Sequence, residues 1–593
     1  MPEPHHLAAL LQEVPLFADL DQELCAAVAT ECAVVSVPAG EWLYRQGEVG
    51  AELHVVLSGR LEVVAEEPAP PRVVNVIRGG DSLGELALLT GEPRAVSVRA
   101  LRDTELLTIT QGRFRELFAD PRFAVALTAS LARAMQAGAR FRPPRSRRTV
   151  LTLQPMGDVP IDRLAEQFID HLERTRRVAR LRRPQSVDDP VTNGQLLDRL
   201  ESEHDHVVLV APSPDEADDL GAWGRFCLRQ ADRVVVVVPS GTPAPSATAE
   251  ERFRGADLVV VGDRPSATDL ADWFDVVGIR ASHWVPTNDG FDRAVARLAR
   301  RVTGQSIGLV MSGGGARGLA HIGVVQALEE AGLTIDRYGG TSMGSAVSAM
   351  FATGRDVESV TDVARRALVE RNPFFDYTVP RFSLVRGRRS HAMLQQVFGS
   401  LCAEELPLDW YAVSAEMLSA GTTVHRRGPV ADAVMASVSL PGIVPPHAGN
   451  GRLLIDGGVL NNLPTDVMAD ADEGPVLAVD VMSQWGEQWR EQNDPDEWQR
   501  SMWRRMGWPE PLPTIVETIM AASVIGSRQN TERQRARAAL TIVPDLTGFA
   551  LFDFEKMDDL VRAGRDATHA ALDADPEVVD RLRRWPMADA ATV

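Results

Sequence analysis

The hydrophobic pattern divides the chain into regions of different character. From residue 10 to about 135, two helical patterns precede short strand-like segments, and turn residues recur every ~8–12 positions. This spacing predicts an antiparallel β-roll or barrel. Residues 150 to about 300 instead alternate helical patterns with near-continuous apolar runs such as HVVLVAP, RVVVVVP and ADLVVVG. Such runs are typical of buried parallel strands, so this part is predicted to be a doubly wound α/β domain without a phosphate-binding loop.

The remaining chain, from residue 300 to about 590, alternates strands and helices again. Between the first two regions, AGARFRPPRSRRT has two prolines and five arginines and is predicted to be a linker. A solvated basic connector is the simpler interpretation of its charge, and an arm that contacts phosphates is the alternative. The overall prediction is an α/β multidomain protein with a β-roll at 10–136, a linker at 137–149, a middle α/β domain at 150–302 and a second α/β domain at 303–580.

Composition and charge limit the partners and the compartment. The chain has 593 residues and a formal net charge of −20, which argues against a nucleic acid partner because phosphate binding favours a basic surface. Its four cysteines have neither metal-binding nor redox spacing, so we expect no metal site and a reducing compartment. A signal-peptide pattern and a run of ~18 apolar residues are both lacking. We therefore expect a cytoplasmic protein, with peripheral contact at the inner membrane face left open and the oligomeric state undetermined.

A glycine-rich loop follows the first apolar strand of the last region. In SIGLVMSGGGARGLAHIGVV, Gly313, Gly314 and Gly315 precede Arg317 and a helical pattern. The loop fits G-x-G-x-x-G, and Asp336 lies near the distance at which a dinucleotide site places an acidic residue. The alternative is an oxyanion hole, because glycine N–H groups can approach a ligand closely and a helix N-terminus favours negative charge.

Ser342 follows one βα step later, in the G-x-S-x-G pattern of a nucleophile elbow. Gly340 and Gly344 avoid the clashes that a Cβ would cause in such a tight turn. A serine nucleophile needs a base, and no histidine has a convincing position; His569 lies in a helical pattern and is expected at the surface. Asp456 in LLIDGGVLNNLP ends an apolar strand at a glycine turn and is the better candidate, although a plain turn is the alternative.

The motifs GGGARG, GTSMG and DGG, in this order and spacing, resemble those of the patatin-like phospholipases over roughly residues 305–575. The stretch ASVSLPGIVPP before DGGVLNNLP adds to this resemblance. The resemblance implies a patatin-like hydrolase domain at 303–580 with a Ser–Asp dyad, in which Ser342 is the nucleophile and Asp456 the base. It further implies an elbow at Gly340 and Gly344, catalysis without cofactor or metal, and an oxyanion hole from Gly313, Gly314, Gly315 and Arg317.

A second motif, GDSLGELALLTGEPRAVSVRA, lies in the N-terminal region. Glu85 can accept a hydrogen bond from a ribose hydroxyl, and Arg94 can bind a phosphate, although surface positions for both are the simpler interpretation of their spacing. The stretch resembles the phosphate-binding cassette of cyclic nucleotide-binding domains. This resemblance implies a nucleotide pocket that includes Gly84, Glu85, Leu86, Arg94 and Ala95, and Ala95 resembles the cAMP-type pattern.

A cyclic nucleotide domain before a patatin domain resembles the neuropathy target esterase group. The resemblance implies a serine esterase that hydrolyses acyl esters of lysophospholipids or phospholipids and is regulated by cAMP. The alternatives are an acyltransferase or thioesterase with the same dyad, or a cAMP-responsive lipid-binding protein. Lipid contact is expected at residues 371–389, which mix phenylalanines with arginines, or at Trp485, Trp489, Trp498, Trp503 and Trp508. Packing in a core or a subunit interface is the alternative for both stretches.

Overall fold

The computed structural model describes residues 20–66, 72–129, 149–183, 190–214, 220–245, 252–371, 376–379, 381–449, 451–482 and 530–585, and the single positions 11, 14, 17, 518, 526 and 527. The chain forms two compact units, Met1–Val261 with Phe274–Ala281 and Gly262–Trp273 with Ser282–Val593. The five tryptophans between 485 and 508, and the linker except its last residue, lie outside the described residues. The boundaries at 136, 149 and 302 stay predictions.

Short antiparallel strands and helices build the described N-terminal part of the first unit. The strands are β1 Ala33–Val37, β2 Trp42–Tyr44, β3 Glu52–Ser58, β4 Arg60–Ala65, β5 Arg72–Arg78, β6 Ser82–Leu83, β7 Ser97–Ala100 and β8 Thr104–Thr110, and the helices are α1 Gln22–Glu31, α2 Glu85–Thr90 and α3 Gln111–Phe118. They form two antiparallel sheets of order β1-β8-β3-β6 and β2-β7-β4-β5. Alternating apolar side chains such as Leu53, Val55 and Leu57 are buried against Phe114 and Phe123. The predicted β-roll is confirmed.

Five parallel strands follow in the same unit. They are β9 Thr149–Pro155, β10 Val178–Leu181, β11 His206–Val210, β12 Arg233–Pro239 and β13 Asp257–Val261, and the helices between them are α4 Ile161–Glu173, α5 Pro190–Glu203 and α6 Gly221–Gln230. Their order is β10-β11-β9-β12-β13, so the chain winds outward from β9 in both directions. Val235 to Val238 are at most 1% exposed, which explains the continuous apolar run. This topology confirms the doubly wound prediction.

The second unit is built on a mixed sheet. Its strands are β15 Ile307–Met311, β16 Ile335–Thr341, β17 Asp409–Glu416, β18 Gly421–His425, β19 His447–Gly449, β20 Arg452–Asp456, β21 Val476–Val479 and β22 Leu540–Ile542, and β14 Ala281–Val285 precedes them across the unit boundary. The order is β19-β20-β17-β16-β15-β21-β22, with β18 paired to β17. Because β15 and β16 are adjacent and parallel, the loops that follow them lie side by side.

Helices cover this sheet. They are α7 Ala267–Asp272, α8 Phe291–Val302, α9 Ala320–Glu330, α10 Met343–Ala352, α11 Val357–Ala364, α12 Arg388–Phe398, α13 Val430–Ser437, α14 Thr465–Ala469, α15 Met557–Ala574 and α16 Val578–Arg583. Single short turns of 3₁₀ or π type lie at Trp273–Val277, Gly315–Leu319, Arg365–Glu370, Ala403–Glu405, Gly457–Val459 and Phe554–Lys556. Helix α9 is buried along almost its full length and packs on α15 in the main core. Among the helices in the described ranges, none combines the length and apolarity that a bilayer crossing requires.

Candidate active site

Ser342 lies at the sharp turn between β16 and α10. Its φ of 54° and ψ of −129° place a non-glycine residue at positive φ, which costs conformational energy. A Cβ at Gly340 would lie 2.5 Å from the Met311 carbonyl oxygen, and one at Gly344 would overlap the same oxygen. The turn is thus too tight for side chains at these two positions, as a nucleophile elbow requires.

Asp456 is brought to this serine by strand register. Strand β20 runs antiparallel to β17 for only three pairs and stops with Asp456 opposite Ser414, while Thr341 is level with the neighbouring Val413. The Ser342 hydroxyl lies close enough to the Asp456 carboxyl to lower the pKa of that carboxyl. The Gly458 N–H donates to Asp456 Oδ1 at 2.8 Å. A serine and a carboxyl so placed can exchange a proton directly, without an intervening histidine.

Burial controls the acidity of Asp456, which is only 4% exposed. Removal from water raises the pKa of Asp456 to about 6, and the nearby Ser342 hydroxyl and the hydrogen bond from the Gly458 N–H oppose part of this rise. A carboxyl with a pKa near 6 is still ionised at neutral pH and is a stronger base than an ordinary aspartate. This environment suits a general base.

The glycine loop lies against the serine, since a Cβ at Gly313 would be 2.8 Å from Ser342 Cβ. The four predicted oxyanion-hole residues differ in their partners. The Gly313 N–H donates to the Asn462 carbonyl at 3.3 Å, and the Arg317 guanidinium donates to the Phe549 carbonyl at 2.8 and 3.0 Å. In contrast, the N–H groups of Gly314 and Gly315 donate to no group within the described part of the chain. These two N–H groups are therefore the available donors.

Two buried polar residues support the site and were not singled out from the sequence. Ser437 Oγ accepts the Ser342 N–H at 2.8 Å and donates to the Val413 carbonyl at 2.6 Å, which holds the strained backbone in place. Asn462 Nδ2 donates to the Gly313 carbonyl at 3.3 Å and so links the glycine loop to the turn after Asp456. Ser437 lies in the stretch ASVSLPGIVPP and Asn462 in DGGVLNNLP, both of which carry the family resemblance. A polar residue in an apolar segment beside a motif is the sequence signal that could have identified them.

The other candidate groups have different partners. His321 Nε2 contacts the Ser312 carbonyl at 2.9 Å, and burial lowers the pKa of His321 to about 4. His569 contacts Glu330 at 3.0 Å on the surface, as expected. Asp336 lies at the start of β16, where Arg300 donates to both its carboxylate oxygens at 2.6 and 2.7 Å. An acidic residue held in this way does not fit the ribose-binding position of a dinucleotide site.

The second candidate site lies in the N-terminal β-roll. Arg94 is 6% exposed, and its guanidinium donates to the carbonyls of Gly84 at 3.0 Å and Glu52 at 2.9 Å. It also lies 4.2 Å from the centre of the Tyr44 ring. Glu85 is 5% exposed, and burial raises its pKa.

The arrangement of these groups fits a nucleotide. Glu85 Oε2 is buried and has no hydrogen-bond partner within the described residues, which leaves an acceptor for a ligand hydroxyl. A Cβ at Gly50 would lie 2.6 Å from Arg94 Nε, so the glycine is needed for the guanidinium to lie where it does. Leu86 and Ala95 are both exposed, beside the two buried charges.

Comparison with known proteins agrees with this division. The model of the patatin-like phospholipase family matches residues 309–469, and that of the cyclic nucleotide-binding domain matches residues 34–120. The chain is 35% identical, over 583 residues, to an uncharacterized NTE family protein of Mycobacterium tuberculosis; the match covers 96% of this chain and 97% of that one. It is 28% identical over 515 residues to the neuropathy target esterase of Drosophila melanogaster, covering 76% of this chain and 36% of that protein.

Among solved structures, the chain is similar to the regulatory domain of Toxoplasma gondii PKA with cAMP. The identity is 28%, the match covers 23% of this chain and 50% of that chain, and the TM-score is 0.19. The two family matches and the relatives confirm a lipid ester hydrolase of the patatin-like phospholipase type that carries a cyclic nucleotide-binding domain. Since both domains are matched and the identity to the mycobacterial relative extends over almost the whole length of both chains, this protein belongs to the NTE, or neuropathy target esterase, family.

Proposed function

We propose that this protein hydrolyses acyl esters of lysophospholipids or phospholipids through a dyad of Ser342 and Asp456, under the control of cAMP. The observation that carries the catalytic part is the approach of the Ser342 hydroxyl to the buried Asp456 carboxyl, whose pKa it lowers. The strained elbow and the two available N–H groups of Gly314 and Gly315 support it.

The reaction follows from these groups. Asp456 accepts the hydroxyl proton as Ser342 Oγ attacks the ester carbonyl, and the N–H groups of Gly314 and Gly315 stabilise the resulting oxyanion. Asp456 then returns the proton to the departing alcohol oxygen, which leaves an acyl group on Ser342. Water attacks this acyl-enzyme while Asp456 again accepts a proton. Release of the fatty acid restores the serine hydroxyl.

The substrate class is proposed from the family. The relatives are named neuropathy target esterase and patatin-like phospholipase domain-containing protein 6, which supports lipid esters as substrates. Among these esters, lysophospholipids are the choice that the resemblance implies. The cytoplasmic location and the peripheral membrane contact expected from the sequence remain proposals as well.

The catalytic proposal is tested with lysophosphatidylcholine and a short p-nitrophenyl ester. Ser342→Ala and Asp456→Asn should each lower turnover by at least ~10³-fold. Asp470→Asn is the matched control, because Asp470 is an exposed partner of Arg537. A fluorophosphonate probe should label the wild type and not Ser342→Ala. Hydrolysis by either dyad variant at the wild-type rate would contradict the dyad, and acyl transfer to an added alcohol in place of fatty acid release would favour an acyltransferase.

The regulatory part depends on the pocket at Arg94 and Glu85. The Arg94 guanidinium would face the cyclic phosphate, and the unpartnered Glu85 Oε2 would accept a ribose hydroxyl. Arg94→Ala should weaken cAMP binding by ~2–5 kcal/mol in calorimetry, whereas Arg99→Ala, which removes a half-exposed arginine paired with Glu62, should not. Ala95 offers no hydroxyl to a guanine amino group, so cGMP should bind more weakly. Binding of cAMP without any change in ester turnover would contradict the regulation and leave the binding site intact.

A further inference from the structure

A short hairpin with an uncovered apolar tip lies in the second unit. Tyr377 and Val385 form an antiparallel bridge. The Thr378 N–H donates to the Leu384 carbonyl at 3.0 Å, and the Arg386 N–H donates to the Asp376 carbonyl at 2.9 Å. These bonds close the hairpin at its base and fix the direction in which its tip extends.

The tip exposes large apolar side chains to solvent. Val379 is 84% exposed, Phe382 76% and Tyr377 67%, whereas Val385 at the base is 2% exposed. In the described part of the chain, Val379 and Phe382 are among the most exposed of all large hydrophobic residues. Clustered apolar exposure on a closed hairpin indicates an interaction surface, because apolar side chains grouped in water are unfavourable unless a partner covers them.

The charge around the tip is opposite to that of the whole protein. Arg381, Arg386, Arg388 and Arg389 are all exposed, and Asp376 is the only acidic residue between positions 376 and 389. The chain as a whole has a net charge of −20. The Arg381 guanidinium lies 5.3 Å from the centre of the Phe382 ring. Apolar side chains beside exposed arginines suit a lipid surface with anionic headgroups.

The hairpin is joined to the candidate active site by one short segment. The N–H groups of Leu384 and Val385 donate to the carbonyls of Gly442 and Ile443 at 2.9 and 3.0 Å. A few residues earlier in that segment, Ser437 accepts the Ser342 N–H, and the Ser439 carbonyl accepts the Asp456 N–H at 2.9 Å. The segment 437–444 thus contacts both members of the dyad and the base of the hairpin.

We propose that this hairpin docks the enzyme on an anionic lipid surface. Tyr377, Val379 and Phe382 enter the boundary between headgroups and acyl chains, and the surrounding arginines contact headgroup phosphates. The proposal rests on the proposed lipid ester hydrolysis and adds the element through which the site meets its substrate. A second copy of the chain is a less suitable partner, because symmetric pairing would bring the same four arginines together.

The docking proposal is tested by co-sedimentation of the whole chain with vesicles of phosphatidylcholine, with and without phosphatidylserine. The double variant Val379→Ser/Phe382→Ser should lower partition into both kinds of vesicle by ~10-fold or more, because two apolar side chains no longer leave water. Arg381→Gln/Arg386→Gln should lower partition into vesicles that contain phosphatidylserine by ~10-fold relative to the wild type. Its partition into pure phosphatidylcholine vesicles should not change. The matched control is Met417→Ser/Leu418→Ser, which removes exposed apolar side chains (50% and 72%) outside the hairpin; its partition should stay within ~2-fold of the wild type.

Activity separates this proposal from the catalytic one. For Val379→Ser/Phe382→Ser, the ratio of vesicle-ester turnover to soluble p-nitrophenyl ester turnover should fall ~10-fold. Ser342→Ala should bind vesicles as the wild type does. Equal partition of the wild type and Val379→Ser/Phe382→Ser into vesicles would overturn the docking proposal. It would also be overturned if light scattering showed that the wild type is a dimer, and that loss of this dimer is the only effect of the double variant. Vesicle binding by a wild type that hydrolyses no lipid ester would instead contradict the proposed function.

Discussion

At the scale of single residues, the candidate site depends on one strained serine and one buried acid. Ser342 keeps a positive φ because Ser437 accepts its N–H and because Gly340 and Gly344 leave room for the turn. Asp456 is withdrawn from water and close to the serine hydroxyl. The strain and the burial both cost stability, and such costs are typical of functional sites.

The acidity of Asp456 predicts the pH dependence of hydrolysis. The base must be ionised to accept the serine proton, and the pKa of Asp456 is raised to about 6. We therefore expect kcat/KM to be constant above this pH and to fall ~10-fold per pH unit below it. The measurement is a pH–rate profile with an uncharged p-nitrophenyl ester. A profile without an acidic limb between the ordinary aspartate pKa and neutrality would contradict the role of Asp456 as the base.

The same shift predicts an effect on stability. Because the folded pKa of Asp456 is higher than the unfolded value, the carboxyl contributes stability at low pH that is lost as the pH rises through about 6. Asp456→Asn removes the buried charge and should stabilise the fold at pH 8, by an amount on the order of 2–3 kcal/mol. The gain should shrink as the pH approaches the unfolded pKa. Calorimetric unfolding of both proteins at several pH values checks this, and equal stability at pH 8 would disprove it.

At the scale of elements, the glycine loop after β15 packs so closely against its surroundings that it has no room for a side chain at Gly314. A Cβ at Gly314 would lie 2.5 Å from Val481 Cγ2, so Gly314→Ala should displace the loop and its N–H donors. We expect kcat to fall ~10²-fold with little change in KM, because the oxyanion charge develops near the transition state. Val481→Ala in the same protein should restore part of the loss by removing the clash.

Gly399→Ala is the matched control for this prediction. Gly399 has a φ of +60°, and a Cβ at this position would meet no atom within 4 Å. The substitution therefore strains the backbone without a clash and should leave kcat unchanged. Steady-state kinetics of the wild type and the three variants provide the comparison. If Gly314→Ala instead weakened binding of a nicotinamide dinucleotide and left ester turnover unchanged, the dinucleotide interpretation of the loop would be correct.

At the scale of the whole molecule, a buried ionic cluster joins the two parts of the first unit. Arg102 from the β-roll is 1% exposed and donates to both oxygens of Glu201 in α5, at 2.9 and 3.1 Å. Its Nε donates to Asp232 Oδ1 at 3.1 Å, and Arg60 Nη2 donates to Glu201 Oε1 at 2.8 Å. The β-roll and the parallel sheet are therefore held as one unit by charges that are poorly solvated.

Removal of one partner should destabilise this unit. Glu201→Ala leaves the buried Arg102 and the partly buried Arg60 with less compensation, and we expect a loss of ~3–5 kcal/mol in the unfolding free energy of this unit. Glu116→Ala, which removes an exposed partner of Arg113, should cost at most ~0.5 kcal/mol. Denaturant unfolding that is monitored by hydrogen exchange in the first unit distinguishes the two variants. Equal losses for both variants would show that the cluster contributes no more than a surface pair.

The local patterns of the chain predicted much of this protein. Alternation of apolar residues indicated the β-roll, and continuous runs such as Val235–Val238 indicated buried parallel strands, because burial on one face or on both leaves a direct trace in the sequence. Ser342, Asp456 and the glycine loop became candidates because each is part of a short motif that its own turn requires. The candidate pocket residues Glu85 and Arg94 were identified in the same way and stay predictions.

Tertiary structure decided what these motifs can do. The approach of Asp456 to Ser342 depends on a three-pair strand register, and the supporting bonds of Ser437 and Asn462 span 95 and 149 residues. The raised pKa of Asp456, the separate partners of Gly313 and Arg317, and the exposed tip at Phe382 likewise follow from packing. The sequence alone determined which residues are candidates for the chemistry, because motifs are local. Distance, burial and exposure were determined by the fold, because they depend on neighbours that are remote along the chain.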